Sequence, residues 1–214
     1  MPTLNSMQPT KTFRLSEQGF DVFGLRNEAV EIALVPELGA QIISLRNLAT
    51  GCEWMWHPPA GRKLFRNRLG DDFATSPMTG WDECLPTIAP CDWKGRKLPD
   101  HGEVWSVPWE IDLNAFQRGV LNTSVTLAVS PFHFERRIEL CGDEVRLDYR
   151  LENRGNHTLG IWLTRDGWNG YHHIALEPAN GAADILTAAV KAGHGGLLAP
   201  KEKQSWQVKL RIGL

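Results

Sequence analysis

Apolar and polar residues alternate with a period of two along much of this chain, which is the pattern of β-strands buried on one face. The clearest example flanks the turn Gly142-Asp143-Glu144 and predicts an antiparallel hairpin. The alternating positions are Phe132, Phe134, Arg136, Ile138 and Leu140 before the turn, and Val145, Leu147, Tyr149 and Leu151 after it. Further strands are predicted over residues 28–35, 41–48 and 120–129, and a last one at Trp206, Val208, Leu210 and Ile212. The pattern therefore predicts an all-β, antiparallel sandwich.

Other stretches depart from the strand pattern. Residues 183–192 are rich in Ala and Leu, with Asp184 as a candidate N-cap and Gly193 as a stop, and they predict a helix. Residues 57–101 are rich in Gly, Pro, Asp and Trp with little periodicity, which predicts ordered loops that form a binding site. Residues 1–19 are expected to be loosely ordered. The whole fits one domain over residues 1–214, because all-β sandwiches often reach this length.

The composition limits the possible functions and leaves the predicted fold unchanged. The 214 residues carry a formal net charge of -2, which predicts no nucleic-acid partner. No apolar run is long enough to cross a membrane and the N-terminus resembles no signal peptide, so we expect a soluble, cytoplasmic protein without a membrane partner. The four cysteines are scattered and predict no disulfide framework. Nine tryptophans against two tyrosines fit either a wide core or stacking on the apolar faces of a sugar.

Ionisable and aromatic side chains concentrate in two segments beside Gly and Pro. The first provides Trp81, Asp82, Glu83, Asp100, His101 and Trp105, and the second provides Trp168, Asn169, His173 and Glu177. His101 is either an acid–base group beside the Asp100 carboxylate or a surface residue without a role. Glu177 ends an apolar run, so it is either a desolvated general base or the partner of an arginine.

A metal site is a further alternative. Asp100, His101 and Glu103, together with His172 and His173, could ligate an ion as in a cupin-type barrel. Neighbouring residues on a strand point to opposite faces, so His172 and His173 do not easily reach the same ion. No spacing is specific for a metal, and we predict none.

Four motifs, in order over residues 20–214, carry a family resemblance. They are LVPELGAQIISL at residues 34–45, LPDHG at 98–102, IALEP at 174–178, and LAP at 198–200 ahead of the last strand. In this order they resemble the aldose 1-epimerase, or galactose mutarotase-like, superfamily, as a shortened subgroup. The resemblance implies an antiparallel β-supersandwich that lacks some of the middle strands.

That family interconverts the α and β anomers of a free sugar by acid–base ring opening, without a cofactor. The resemblance implies that Glu177 takes the proton of the anomeric hydroxyl and that His101 binds a sugar oxygen. The expected sugar-binding residues are Trp81, Asp82, Glu83, Asp100, Trp105, Trp168, Asn169 and His173. A second family histidine, the general acid, has no counterpart here, because the chain runs from the turn at 151–156 almost directly to residues 165–168.

Three functions therefore remain open. They are an isomerase of the aldose 1-epimerase type, a non-catalytic carbohydrate-binding module that has lost its acid, and a cupin-like metalloisomerase. The expected partner is a small sugar. Missing strands would leave open sheet edges, which favour pairing between chains, so a homodimer is also expected.

Overall fold

Two antiparallel β-sheets form the body of the protein. The computed structural model describes residues 9–77, 79–156, 159–161, 184–193 and 196–212. The first sheet joins four strands in chain order: β1 (Lys11–Glu17), β2 (Phe20–Arg26), β3 (Val30–Val35) and β4 (Gln41–Asn47). The second sheet contains β7 (Glu110–Ile111), β8 (Leu121–Thr126), β9 (Phe132–Cys141), β10 (Glu144–Asn153) and β13 (Lys203–Arg211), in the order β13-β10-β9-β8-β7.

Smaller elements lie between the strands of these sheets. Two short antiparallel pairs join β5 (Cys91–Trp93) with β6 (Arg96–Leu98) and β11 (Leu159–Ile161) with β12 (Gly196–Leu198). The helices are α1 (Leu113–Gln117), α2 (Leu186–Lys191) and short 3-10 turns at Pro36–Leu38, Phe73–Thr75 and Val104–Ser106. Within the described ranges, no helix has the length and apolar character needed to cross a membrane.

The hairpin of β9 and β10 follows the predicted alternation along its whole length. Its register runs from Cys141 opposite Glu144 to Phe132 opposite Asn153, with buried residues at every second position. Strand β13 extends this sheet, from Arg211 opposite Glu144 to Lys203 opposite Glu152. The predicted all-β, antiparallel fold is therefore confirmed.

The main core lies between the inner faces of the two sheets. Leu25, Ile32 and Leu34 of the first sheet and Ile138 and Leu147 of the second are completely buried in it. A second cluster covers the outer face of the first sheet and comprises Val22, Ala33, Val35, Leu38, Ile43 and Leu64. Burial on both faces explains why β3 and β4 are nearly continuous apolar runs, whereas β9 and β10 alternate.

The structure corrects the sequence analysis at both ends of the chain. Residues 11–17, expected to be loosely ordered, form β1 and pair with β2 from Lys11–Arg26 to Glu17–Phe20. Their sequence hides the strand because β1 is an edge strand with most positions exposed. Helix α2 falls within the predicted helical stretch, but its N-cap is Ile185 and not Asp184.

Helix α1 is absent from the sequence-based expectations. Its five residues are too few for a visible periodicity, and it forms because the Asp112 side chain accepts hydrogen bonds from the backbone N–H groups of Asn114 and Ala115.

Removal of a core side chain tests the assignment of the two sheet faces. Leu147→Ala should lower the free energy of unfolding by about 2–5 kcal/mol, because it leaves a cavity between the sheets. Leu113→Ala, at a position that is 52% exposed, is the matched control and should change stability little. Urea denaturation of both variants measures the difference, and equal effects would contradict the assignment.

Candidate active site

The segment that carries Asp82 and Glu83 lies against the edge of β4. Trp81 and Ile42 exchange two backbone hydrogen bonds, of 3.0 and 2.9 Å, in an antiparallel bridge. Side chains alternate along an extended chain, so Trp81 and Glu83 are directed to the inner core and Asp82 to the opposite side, beside Gln41. Two adjacent carboxylates are thereby separated into different environments.

Glu83 is held in a buried ion pair. Arg136 Nη1 donates to Glu83 Oε1 over 2.9 Å, and the hydroxyl of Tyr149 donates to the same oxygen over 2.7 Å. The guanidinium has no exposed surface, donates from Nη2 to the carbonyl of Ala40, and lies 5.3 Å from the ring centre of Trp109. Burial and the negative charge of Glu83 raise the pKa of Tyr149 well above its usual value, so this hydroxyl stays protonated and donates.

Asp82 has a different set of contacts. Both of its carboxylate oxygens accept from Nε2 of Gln41, at 3.1 and 2.9 Å. Burial raises the pKa of Asp82 to about 7, and the negative charge of Glu83 raises it further toward that value. The hydrogen bond from Gln41 and the positive charge of Arg136 lower the pKa in part. A carboxyl group with a pKa near neutrality can both give and take a proton at physiological pH. We call Gln41, Asp82, Glu83, Arg136 and Tyr149 the carboxylate cluster.

A second group of side chains surrounds His101. Nδ1 of His101 lies 3.0 Å from Oδ2 of Asp100, at ion-pair distance but without hydrogen-bond alignment. The backbone N–H of Phe73 donates to the same Asp100 oxygen over 2.9 Å, and the Phe73 ring stacks on the imidazole with centroids 4.0 Å apart. The His101 side chain is 24% exposed. We call Phe73, Asp100, His101 and Trp105 the histidine cluster.

The glycine after His101 brings the two clusters together. Gly102 forms a parallel bridge with Leu85, and the N–H of Glu103 donates to the Leu85 carbonyl over 2.7 Å. At Gly102, φ is +72°, and a Cβ atom would stand 1.9 Å from the Leu85 carbonyl oxygen. Only glycine permits this approach, and it places the segment that leads from Asp82 beside the segment that carries His101.

Trp105 provides a second connection between the clusters. A Cβ atom at Gly39 would stand 2.4 Å from the Trp105 carbonyl oxygen, so the corner before Gln41 packs directly on this backbone. The Trp105 indole N–H donates to the Asp100 carbonyl over 3.1 Å. Trp105 is only 2% exposed. The indole therefore supports the backbone at Asp100, and the sugar contact of Trp105 stays a prediction.

The other predicted site residues divide into two groups. Glu103, considered as a metal ligand, is buried and accepts from the backbone N–H of Val129 and from both the N–H and the hydroxyl of Ser130, so its oxygens are already used. In the part of the chain that the structure describes, no three His, Cys, Asp or Glu side chains form a metal-binding group. Trp168, Asn169, His172, His173 and Glu177 lie outside the described residues.

Known structures share this arrangement of strands. The Slr1438 protein from Synechocystis sp. PCC 6803 is 13% identical, with 95% of this chain and 96% of that chain covered and a TM-score of 0.61. A galactose mutarotase-like protein from Clostridium acetobutylicum is 13% identical, with 74% and 53% covered and a TM-score of 0.50. This chain has a galactose mutarotase-like fold.

At this identity the likeness concerns the fold alone. A galactose mutarotase related enzyme from Lactobacillus acidophilus also matches, with 15% identity, 71% of this chain and 46% of that chain covered, and a TM-score of 0.47. The chain thus spans about half the length of these two mutarotase-like proteins, at 53% and 46%, but nearly the whole length of the Slr1438 protein. No protein-family model and no curated protein matches the sequence.

Sequence analysis missed three residues that shape this part of the galactose mutarotase-like fold. They are Gln41, Arg136 and Tyr149. A signal was present for Arg136, because it occupies an inward position between Phe134 and Ile138 on an alternating strand. A charge at such a position requires a buried partner. Gln41 gives no comparable signal, since its role depends on a contact 41 residues away.

Substitutions in the buried ion pair test how much it contributes to the stability of the fold. Arg136→Met should lower the free energy of unfolding by about 3–5 kcal/mol, because Glu83 is left without its countercharge. The double variant Arg136→Met/Glu83→Gln should lose less than the sum of the single effects, since no unpaired charge remains. Arg14→Met removes the exposed ion pair with Asp21 and is the matched control. Additive losses in denaturant titrations would contradict the pairing.

The raised pKa of Asp82 has a consequence for stability. The folded protein keeps a proton on Asp82 up to about pH 7, whereas the unfolded chain releases it near 3.8. Between these values the folded state binds more protons, so wild-type stability falls as pH rises, by up to about 1.4 kcal/mol per pH unit. Asp82→Asn binds no proton at this position. Its free energy of unfolding should therefore rise relative to that of the wild type between about pH 4 and pH 7.

Denaturant midpoints at several pH values measure that difference. Asp92→Asn, which removes an exposed carboxylate from the neighbouring hairpin, is the matched control. A difference between wild type and Asp82→Asn that stays level across the range would contradict the raised pKa.

Proposed function

We propose that this protein binds a small free sugar where the carboxylate and histidine clusters meet, and interconverts its anomers by acid–base ring opening. One observation carries the proposal: within a galactose mutarotase-like fold, the backbone bridge between Leu85 and Gly102 joins the segment of Asp82, a carboxyl group whose pKa is about 7, to the segment of the partly exposed His101. Such groups suit proton transfer at neutral pH.

The reaction needs one group that removes a proton and one that supplies it, on opposite sides of the sugar ring. In the proposal, Glu177 takes the proton of the anomeric hydroxyl while the bond between C1 and the ring oxygen breaks and that oxygen accepts a proton. The open-chain aldehyde turns about the C1–C2 bond. The former ring oxygen then attacks the other face of the aldehyde, and both protons return.

His101 has the proposed role of binding a sugar oxygen. Stacking on Phe73 fixes the plane of its imidazole, and Asp100 lies next to Nδ1. A side chain held in this way loses little conformational freedom when a ligand binds, which favours a well-defined orientation of the sugar. Trp81 packs against the core but is only half-buried, and it is the proposed apolar surface on which the sugar ring stacks.

Polarimetry on freshly dissolved α-glucose and α-galactose tests the activity. The wild-type protein should speed anomerisation above the buffer rate, and Glu177→Gln should lower the rate by about 100- to 10,000-fold, the usual contribution of an acid–base group. His101→Asn should weaken sugar binding and raise KM. Glu110→Gln and His57→Gln, at exposed positions, are the matched controls. A wild-type rate equal to the buffer blank with several sugars overturns the proposal.

A carbohydrate-binding module without catalysis is the second candidate. It is favoured by the lack of a counterpart to the family's second histidine, the general acid, between the turn at 151–156 and residues 165–168. Calorimetry and tryptophan fluorescence distinguish the two functions, because saturable sugar binding without anomerisation supports the module. Elemental analysis of the purified protein tests a metalloisomerase, a function that the use of Glu103 within the fold disfavours.

A further inference from the structure

We infer that Asp82 is the proton donor to the ring oxygen of the sugar, the role for which the sequence offers no second histidine. The inference rests on the proposed function and adds to it a catalytic residue. It starts from the different contacts of two neighbouring carboxylates.

Glu83 is unsuited to donating a proton. Its Oε1 accepts from both Arg136 Nη1 and the Tyr149 hydroxyl, at 2.9 and 2.7 Å, and two donors on one oxygen stabilise the ionised form. Arg136 is completely buried, so neutralising Glu83 would leave an unpaired charge in the core. Glu83 is therefore held in place as the structural partner of Arg136.

Asp82 has the contacts of a group that can carry a proton. Its only hydrogen-bond donor among the described residues is the neutral amide of Gln41, and no cation there forms an ion pair with it. The charged groups that act on it are Glu83, which disfavours the ionised form, and the more distant Arg136, which favours it. Neighbouring carboxyl groups in such contrasting environments typically divide into a proton donor and a fixed anion.

A second feature of the carboxylate cluster is a hydrogen-bond donor that is not satisfied. The Nε of Arg136 is buried and has no hydrogen-bond acceptor among the described residues, although the side chain has no exposed surface. Buried N–H groups are almost always paired, so this donor is open to an acceptor that the described residues do not supply. A water molecule that lies between Arg136 and a sugar beside Asp82 fits this requirement.

The proton and electron balance of the step closes without a co-reactant. Asp82 gives its proton to the ring oxygen as the bond between C1 and that oxygen breaks, and the bonding electron pair stays on the oxygen. Glu177 takes the proton of the anomeric hydroxyl, and an aldehyde forms at C1. On ring closure Asp82 recovers its proton from the attacking hydroxyl, and Glu177 returns its proton to the oxygen at C1.

Steady-state polarimetry over pH 5–9 tests the assignment. Asp82→Asn should lower kcat by about 100- to 10,000-fold with a smaller change in KM, and Asp92→Asn should leave both unchanged. The wild-type kcat/KM should fall as pH rises through about 7. The residual kcat/KM of Asp82→Asn should not show this fall. If Asp82 had only a structural role, Asp82→Asn would lower the rate but keep the fall in kcat/KM as pH rises through the same range.

Different results would overturn the role of Asp82 and the proposed function. An active wild type together with an Asp82→Asn variant that keeps more than about a tenth of its rate and the same pH profile overturns this inference but leaves the proposed function standing. A wild type with no activity on any sugar overturns both. Independently of turnover, carboxyl carbon NMR of labelled wild-type protein, assigned with Asp82→Asn, should show Asp82 titrating near pH 7; titration near 3.8 overturns the inference.

Discussion

An arginine enclosed between two sheets is the constraint on which this structure depends. Arg136 occupies an inward position of β9 where the alternation calls for an apolar residue, and a guanidinium with no exposed surface must find a countercharge. Glu83 supplies it from a segment 53 residues earlier. Because breaking such a pair costs far more than the pair contributes net, the interaction acts mainly to hold the Glu83 segment in one place.

The rest of the site follows from that placement. Once Glu83 faces Arg136, the alternation of an extended chain directs Asp82 to the other side, beside Gln41 at the start of β4. Further along the same segment, Leu85 forms its bridge with Gly102 and brings His101 into the neighbourhood. Burial raises the pKa of Asp82 most, and the anion that fixes the segment also disfavours its ionisation, so the structural and the chemical properties of this region are connected.

Different observations support the fold and the proposed chemistry. A galactose mutarotase-like fold is carried by the arrangement of the sheets and is compatible with many functions, because function depends on the site that a fold presents. The acid–base proposal depends on a few contacts in the carboxylate and histidine clusters. Those contacts join loop residues such as Asp82 and Glu83 to side chains of β4, β9 and β10, and this rigid scaffold can position the loop side chains accurately.

Local patterns in the sequence were enough for β3, β4, β8, β9, β10 and β13, because alternation and β-branched runs report which face is buried. The exposed edge strand β1, its neighbour β2, the strands of two or three residues and the five-residue α1 escaped them. The same patterns singled out His101 and Asp82 as ionisable residues beside Gly and Pro. Which carboxylate carries a proton could not be read from them, since it depends on Gln41, Arg136 and Tyr149, contributed by three different strands. Tertiary structure decides such matters because burial and through-space charge, which set a pKa, arise only when distant segments meet.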